Sequence, residues 1–419
     1  MEYVTNYVMS CFVPSIKTII FLVLCVVIIY YVWNSVDSYR NKSHKESIEF
    51  NCRSIRKDET VFVSMVAIDS NDTRAVVVKT LCDLFEKAYC PYRVFVGIIL
   101  YENTSEKLFQ NDIDSINLIN MYRKQCQDNS CLDMSRNIRI LKQDSNDYRG
   151  LYPARAIVET KLFRNEKFYM LINNSVLFTP KWEKNLINEW VNCKQKTFSK
   201  NPLLTSLPLG FQQHNYFMNP PDFGHAPGTY LRFKDFETST PNLNFIQTES
   251  VEFQRKFGVN VEPMLGLFWT STFSFSLSTI VRDVPYDPSI EFISNDTLMA
   301  LRLWTHGYDF FHPVISYLYN NYDYNYNVSR PNDETKHRIE QIFNNNNGQQ
   351  ILMGLGKVRT IEQYQGFIGI DLRTKTFTSL SGIMGVQSDA SSVEILTRFG
   401  TWKNFDRLKT ILLKTMYNK

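Results

Sequence analysis

The chain has 419 residues and a formal net charge of only +4. Its Lys and Arg are scattered along the chain, which argues against a dedicated nucleic-acid binder, because such proteins gather their positive charge on one face. The length exceeds what one small core needs, and a 44% share of hydrophobic residues suits a globular domain with appendages.

Residues 1–17 form an N-terminal tail. TIIFLVLCVVIIYYVWNSV (residues 18–36) has no ionisable group apart from two tyrosines and a cysteine, and its aromatic residues lie toward one end. About 20 apolar residues cross a bilayer as a helix, so this run is expected to be a single-pass transmembrane anchor. A buried core helix and a cleaved signal peptide are the alternatives; no A-x-A-like site follows. Lys17 precedes the run while Arg40, Lys42 and Lys45 follow it, which taken alone places the C-terminal part in the cytosol. Sequons at Asn41, Asn71, Asn103, Asn295 and Asn327 permit a secretory-pathway lumen instead. The lumen-facing orientation is the expectation, with sidedness open. Residues 37–58 are polar, lack apolar periodicity and read as a stem.

The pattern then becomes α/β. VFVSMVAI (residues 61–68) reads as a buried strand, residues 75–88 as an amphipathic helix and residues 92–100 as a second strand, a unit that implies parallel pairing with a right-handed crossover. The order repeats with a strand at 137–144, a helix at 153–163 opened by proline, and a strand at 167–173. A helix at 182–193 carries Trp182, Leu186, Ile187 and Trp190 on one face, read as core. PLLTSLPL (residues 202–209) is a further strand, and the irregular region 210–228 is expected to loop over the active end of the sheet. Asn344, Asn345, Asn346 and Asn347 mark a loop tip.

Of eight cysteines none forms a C-x-x-C pair, and the six histidines do not cluster with them in sequence, so the spacing gives no zinc signature. Cys126 and Cys131 flank a short polar loop, where a disulfide and two free thiols are equal readings.

Seven segments, taken together and in order, resemble the polypeptide GlcNAc-transferase family related to the enzyme that glycosylates Skp1. They are FVSMVAI, DLFEKAYCPYRVFVGI, RGLYPAR, FWTSTFSFS, VPYDPSIEF, MALRLWTHGYDFFHP and GLGKVRTIEQYQGFIGID, within residues 59–373. The resemblance implies a GT-A fold, an α/β domain with a mixed, mostly parallel sheet flanked by helices, together with a UDP-GlcNAc-type donor and a protein hydroxyl as acceptor. Residues 374–419 fall beyond it as a C-terminal extension whose end, FDRLKTILLKTMYNK, reads as a short basic amphipathic helix.

The resemblance also marks departures. Where the family has a D-x-H metal motif at the end of the central strand, this chain has Asn173, Asn174 and Ser175, and a later family His falls at Tyr317. Divalent cations of this chemistry want oxygen donors with at least one carboxylate, so no metal is expected there. Arg149, Arg155 and Arg302 are then candidates to meet the donor diphosphate beside Asn173, Asn174 and Ser175. The family's G-E-E falls at Ser294, Asn295 and Asp296, which leaves Asp296 as candidate general base.

Each of these has a structural reading as well. Asn173 to Ser175 can satisfy a strand end. Asp296 can cap the helix that follows, the reading favoured by the helix-start chemistry of Asn-Asp-Thr. His306 and His312 read as structural, and Arg302 as a partner of a surface carboxylate. Two functions stand: a membrane-anchored glycosyltransferase working without metal, and a catalytically dead relative serving as a structural or partner-binding membrane protein.

Overall fold

The computed structural model describes residues 24–32, 47–48, 52, 58–68, 73–102, 111–128, 131–197, 199–211, 226–237, 245–253, 264–292, 296–313, 315–322, 331–343 and 351–385. The chain divides into two units, Met1–Arg53 and Ser54–Lys419. In the first, residues 24–32 are helical, and most of their apolar side chains are exposed, Val26 and Tyr31 by 65% and 68%. The expected span is only partly covered by these residues. Among the described residues no helix is long and apolar enough to cross a membrane. The asparagines of the five sequons, the tetra-asparagine run and the expected C-terminal amphipathic helix lie outside the described residues.

The second unit begins with β1 (Val61–Ile68), α1 (Thr73–Glu86), β2 (Val94–Glu102), α2 (Asn111–Asp128), β3 (Ile138–Asp144), α3 (Leu151–Lys161), β4 (Phe168–Ile172), β5 (Val176–Phe178) and α4 (Trp182–Thr197). It continues through β6 (Pro202–Thr205), β7 (Leu209–Gly210), β8 (Thr229–Phe236), β9 (Ile246–Glu252), β10 (Met264–Leu265), β11 (Phe273–Leu277), α5 (Thr279–Asp283) and α6 (Thr297–Thr305). Last come β12 (Asp309–His312), β13 (Leu318–Asn320), α7 (Asp333–Phe343), α8 (Ile361–Ile368), β14 (Ile370–Asp371), β15 (Thr376–Phe377) and α9 (Ser381–Met384).

Eight strands form one sheet in the order β10-β12-β6-β11-β4-β1-β2-β3. β1 pairs in parallel with β2 and β4, β2 with β3, and β6 with β12, whereas β11 and β10 run against their neighbours. This is the expected mixed, mostly parallel sheet. Strand alternation sends Phe62 and Val66 of β1 to one face and Val61, Val63, Met65 and Ala67 to the other, and both sets are buried. A strand covered on both faces has no use for polar residues, and for that reason VFVSMVAI is nearly uniformly apolar. One face packs on α3 and α6, the other on α1, α2 and α4. Trp182 and Trp190 are core as expected; their indole N–H groups donate to the carbonyls of Leu84 at 2.9 Å and Pro202 at 2.7 Å.

PLLTSLPL is divided. Pro202–Thr205 enters the large sheet, while Leu209–Gly210 joins β5 and β13 in a separate three-stranded sheet. Cys126 and Cys131 are free thiols, as are Cys82 and Cys193.

Candidate functional site

The site grows from the carboxyl end of β4, where an open α/β sheet offers its crevice. β11 runs antiparallel to β4 with Phe273 opposite Ile172, so the residues before Phe273 run alongside Asn173. That loop is held rigidly. The buried Thr205 hydroxyl donates to the carbonyl of Phe273 at 3.0 Å and accepts from the N–H of Thr270 at 3.1 Å. The Trp269 indole donates to Ser274 Oγ at 3.0 Å.

Asp296 stands at the first turn of α6, facing this loop. Its side chain makes no capping bond to the helix; the carboxylate instead accepts from the N–H of Ser271 at 3.1 Å. The cap reading favoured by the sequence is therefore corrected: the carboxylate is taken up by a tertiary donor, the Ser271 N–H, instead of the helix's own N–H groups. Thr297 does the anchoring, exchanging hydrogen bonds with the backbone N–H and C=O of Ile246 on β9. Protein surrounds the Asp296 carboxylate, and this burial raises its pKa against the opposing pull of Ser271, Thr270 and Arg155. The residue is half-buried and lines a cavity of about 310 Å³ with Lys234, Trp269, Thr270, Thr272 and Tyr364. Ligand pockets start at about 300 Å³, so this one has room for a sugar ring or an acceptor side chain rather than a whole nucleotide sugar.

The arginines separate. Arg155, on α3, is 2% exposed; its Nη2 donates to the carbonyl of Ser271 at 3.0 Å and its guanidinium lies 5.7 Å from the Tyr286 ring. Its Nε and Nη1 have no hydrogen-bond acceptor in the protein. Arg302 is fully buried two turns further along α6, where Nη2 donates to the Pro285 carbonyl at 2.6 Å, so the surface ion pair expected for it does not exist. Burial lowers its pKa. Arg302 lines a different cavity from Asp296, beside Thr305 and His306. Arg149 is exposed, and its carbonyl accepts from the Phe292 N–H at 2.8 Å. Of the three, only Arg155 is joined to the Asp296 loop.

At the strand end Asn173 is half-buried, while Asn174 and Ser175 are buried. The Asn174 carbonyl accepts from Thr80 Oγ1 at 3.0 Å, and Ser175 Oγ is buried without a protein partner. Tyr317 does not join them. The N–H of Thr179 donates to the Tyr317 carbonyl at 2.9 Å, whereas the residue opposite Ser175 is Asn321, whose N–H donates to the Ser175 carbonyl at 3.0 Å. Four residues of extended chain, about 13 Å, separate the two positions. The Tyr317 hydroxyl instead donates to the buried Glu189 carboxylate of α4. Tyr317 is thus four residues along the chain from Asn321, the residue that pairs with Ser175, and the expected grouping of Tyr317 with Asn173 and Ser175 is corrected.

At the strand end the side chains are amides and a hydroxyl, weak donors for a hard divalent cation, and among the described residues the one group of three His, Cys, Asp or Glu side chains close enough to share an ion lies elsewhere. His306 and His312 are structural as expected. His306 Nδ1 contacts the Arg302 carbonyl at 2.7 Å; His312 Nδ1 bonds the Thr205 carbonyl at 2.8 Å while Nε2 accepts from the Leu231 N–H.

A family model described as Glycosyltransferase (GlcNAc) matches residues 35–353. No curated protein matches the chain. Among solved structures, S. aureus TarS 1–349 is 9% identical over 62% of this chain and 60% of that chain, with a TM-score of 0.35. The same protein in complex with UDP-GlcNAc is 10% identical over 68% and 67%, with a TM-score of 0.38. The mannosyltransferase PcManGT from Pyrobaculum calidifontis, in complex with GDP-Man and Mn2+, is 8% identical over 67% and 66%, with a TM-score of 0.32. The chain thus spans about 60% of the length of TarS 1–349 in the first of these matches. With the family match running unbroken from residue 35 to residue 353, the chain belongs to the GlcNAc glycosyltransferase family.

Proposed function

We propose that this glycosyltransferase has a GT-A-type site that moves a GlcNAc-type sugar from a UDP donor to a protein hydroxyl without a divalent metal. The observation that carries this reading is the Asp296 carboxylate: half-buried, with its pKa raised, on the wall of a sugar-sized cavity formed with the loop that precedes β11. In the transfer Asp296 takes the proton of the acceptor hydroxyl, the freed oxygen bonds to the anomeric carbon, and the carbon–diphosphate bond breaks with its electron pair leaving on UDP. Arg155 supplies fixed positive charge beside the same loop, where a divalent cation would otherwise offset the charge of the departing diphosphate. Asn173, Asn174 and Ser175, which do not line that cavity, are the remaining candidate donor contacts.

Membrane attachment through residues 18–36 belongs to the same reading, supported by the uncharged run and the exposed apolar residues at 26–32. Cys90 is disulfide-bonded, which favours the oxidising secretory lumen over the cytosol.

A second reading rests on one observation, the depth of Arg155, whose guanidinium is 2% exposed and turned onto Ser271 and Tyr286. A donor-binding arginine would meet the diphosphate more openly, so this burial favours a dead relative that binds a partner. The deciding experiment is calorimetric titration and turnover of UDP-GlcNAc with and without Mn2+. Metal-independent binding with release of UDP supports the enzyme, absence of both supports the pseudoenzyme, and binding that requires Mn2+ overturns the metal-free reading.

A further inference from the structure

Three cysteines that are scattered in sequence meet in the fold. Cys82 lies on α1, Cys126 near the end of α2 and Cys131 just beyond it, and their sulfurs all lie within 4.8 Å of one another. All three are free thiols, with Cys82 and Cys126 buried and Cys131 partly open. The loop is closed by the Cys131 N–H, which donates to the Cys126 carbonyl at 2.9 Å. We infer that Cys82, Cys126 and Cys131 form a thiolate site for a soft divalent cation of the zinc class, which ties α1 to the end of α2.

The geometry suits such an ion. With metal–sulfur bonds of about 2.3 Å, three sulfurs around one cation sit about 4 Å apart, and the fourth position can face the solvent side through Cys131. A cation bound there displaces the thiol protons, so its affinity rises with pH. Three thiolates with a divalent ion leave one net negative charge, easier to bury than the two that a monovalent ion would leave.

The cluster also has a purpose in the fold. α1 is the helix that grips the strand end: Thr80 Oγ1 donates to the Asn174 carbonyl, accepts from the Val176 N–H, and Asp83 accepts from the Phe178 N–H at 2.5 Å. An ion on Cys82 braces the support of Asn174 to Phe178 from behind. It is a positioning clip, remote from the Asp296 cavity.

The test uses the purified full-length chain, isolated without chelator, with metal content measured per chain and with Co2+ titrated into the chelator-stripped protein. A thiolate-to-cobalt charge-transfer band that saturates at one equivalent, is displaced by Zn2+, is lost in Cys82→Ser and persists in Cys193→Ser is expected. Chelation should also lower Tm. Absence of the band in wild-type protein whose three thiols titrate as reduced overturns the site, as does survival of the band in Cys82→Ser, or a peptide map joining any two of the three cysteines by a disulfide. The wild-type titration needs no variant to fold.

Discussion

Arg155 and Asp296 hold one residue between them: the guanidinium donates to the carbonyl of Ser271 at 3.0 Å, and the N–H of Ser271 donates to the Asp296 carboxylate at 3.1 Å. The loop is therefore clamped from two elements, and the carboxylate is oriented by a backbone group that no side-chain substitution removes. If Asp296 is the base, Asp296→Asn should keep the Ser271 bond through its amide oxygen, fold normally and lose transfer by about 10²–10⁴-fold. Because burial raises the Asp296 pKa, kcat/KM should climb with pH through an inflection above the ordinary aspartate range. A variant with near-normal transfer sinks the assignment.

Arg155 is expected to matter for the fold whether or not it meets a donor. It is a buried cation close to Asp296 and Glu159, and taking it away leaves those acidic groups with one less compensating charge. Arg155→Ala should lower stability by about 3–5 kcal/mol, the scale seen when one partner of a buried pair is removed. Chemical denaturation checks this. A shift below about 1 kcal/mol would show the guanidinium to be a binding group with little structural duty.

Metal affinity should be restorable only in the register that the strands display. Asn173→Asp, Ser175→His and Asn321→His together place a carboxylate and two imidazoles around the β4 end, since Asn321 is hydrogen-bonded opposite Ser175. The same set with Tyr317→His in place of Asn321→His puts one imidazole about 13 Å away. Calorimetry with Mn2+ should find binding in the first triple variant and none in the second. Equal affinity in both would show that the strand pairing is not what decides the site.

Gly150 opens α3 with φ +108°, and a Cβ there would lie 2.7 Å from the Phe292 backbone nitrogen. The Phe292 N–H is the one that donates to Arg149, so RGLYPAR needs its glycine for both conformation and contact. Gly150→Ala should cost more than about 1 kcal/mol in a denaturant titration, and an unchanged midpoint would refute the strain.

The core strands were legible because burial on both faces writes an apolar run. Val61–Ile68 appears in the sequence with the bounds that the fold gives it, and β4 differs from its expected range by one residue at each end. α2 was not foreseen, since NDIDSINLINMYRKQCQD is too polar to show a stripe, and only Leu118, Tyr122 and Cys126 are strongly buried within its later turns. The thiol cluster was hidden for a related reason. Cys82 is brought to Cys126 and Cys131 by the packing of two helices, and spacing rules see only neighbours along the chain. That Tyr317 stands away from Ser175 was not legible either, since strand register is set by pairing, which puts Asn321 opposite Ser175, and not by the sequence of one short strand.

Two buried titratable groups should drive stability in opposite directions with pH. Glu159 accepts from the Tyr169 hydroxyl at 3.1 Å and the Tyr286 N–H at 3.2 Å, yet burial pushes its pKa to about 7 from 4.5. Across that window the folded chain holds a proton that the unfolded chain has lost, so stability falls as pH rises, by roughly 3 kcal/mol in all. His312 is the reverse case. Burial lowers its pKa from 6.5 to about 4, so the unfolded chain takes up a proton that the folded chain refuses, and stability falls as pH drops through the same range. The two slopes offset each other between pH 4.5 and 6.5. Glu159→Gln removes one of them, and the Tyr169 hydroxyl can turn to accept from the new amide. Urea titrations at stepped pH should then show the variant gaining stability steadily up to about pH 6.5 and holding it above, where the wild-type chain declines toward pH 7. If the variant instead keeps the wild-type pH profile, the proton held at neutral pH is not on Glu159.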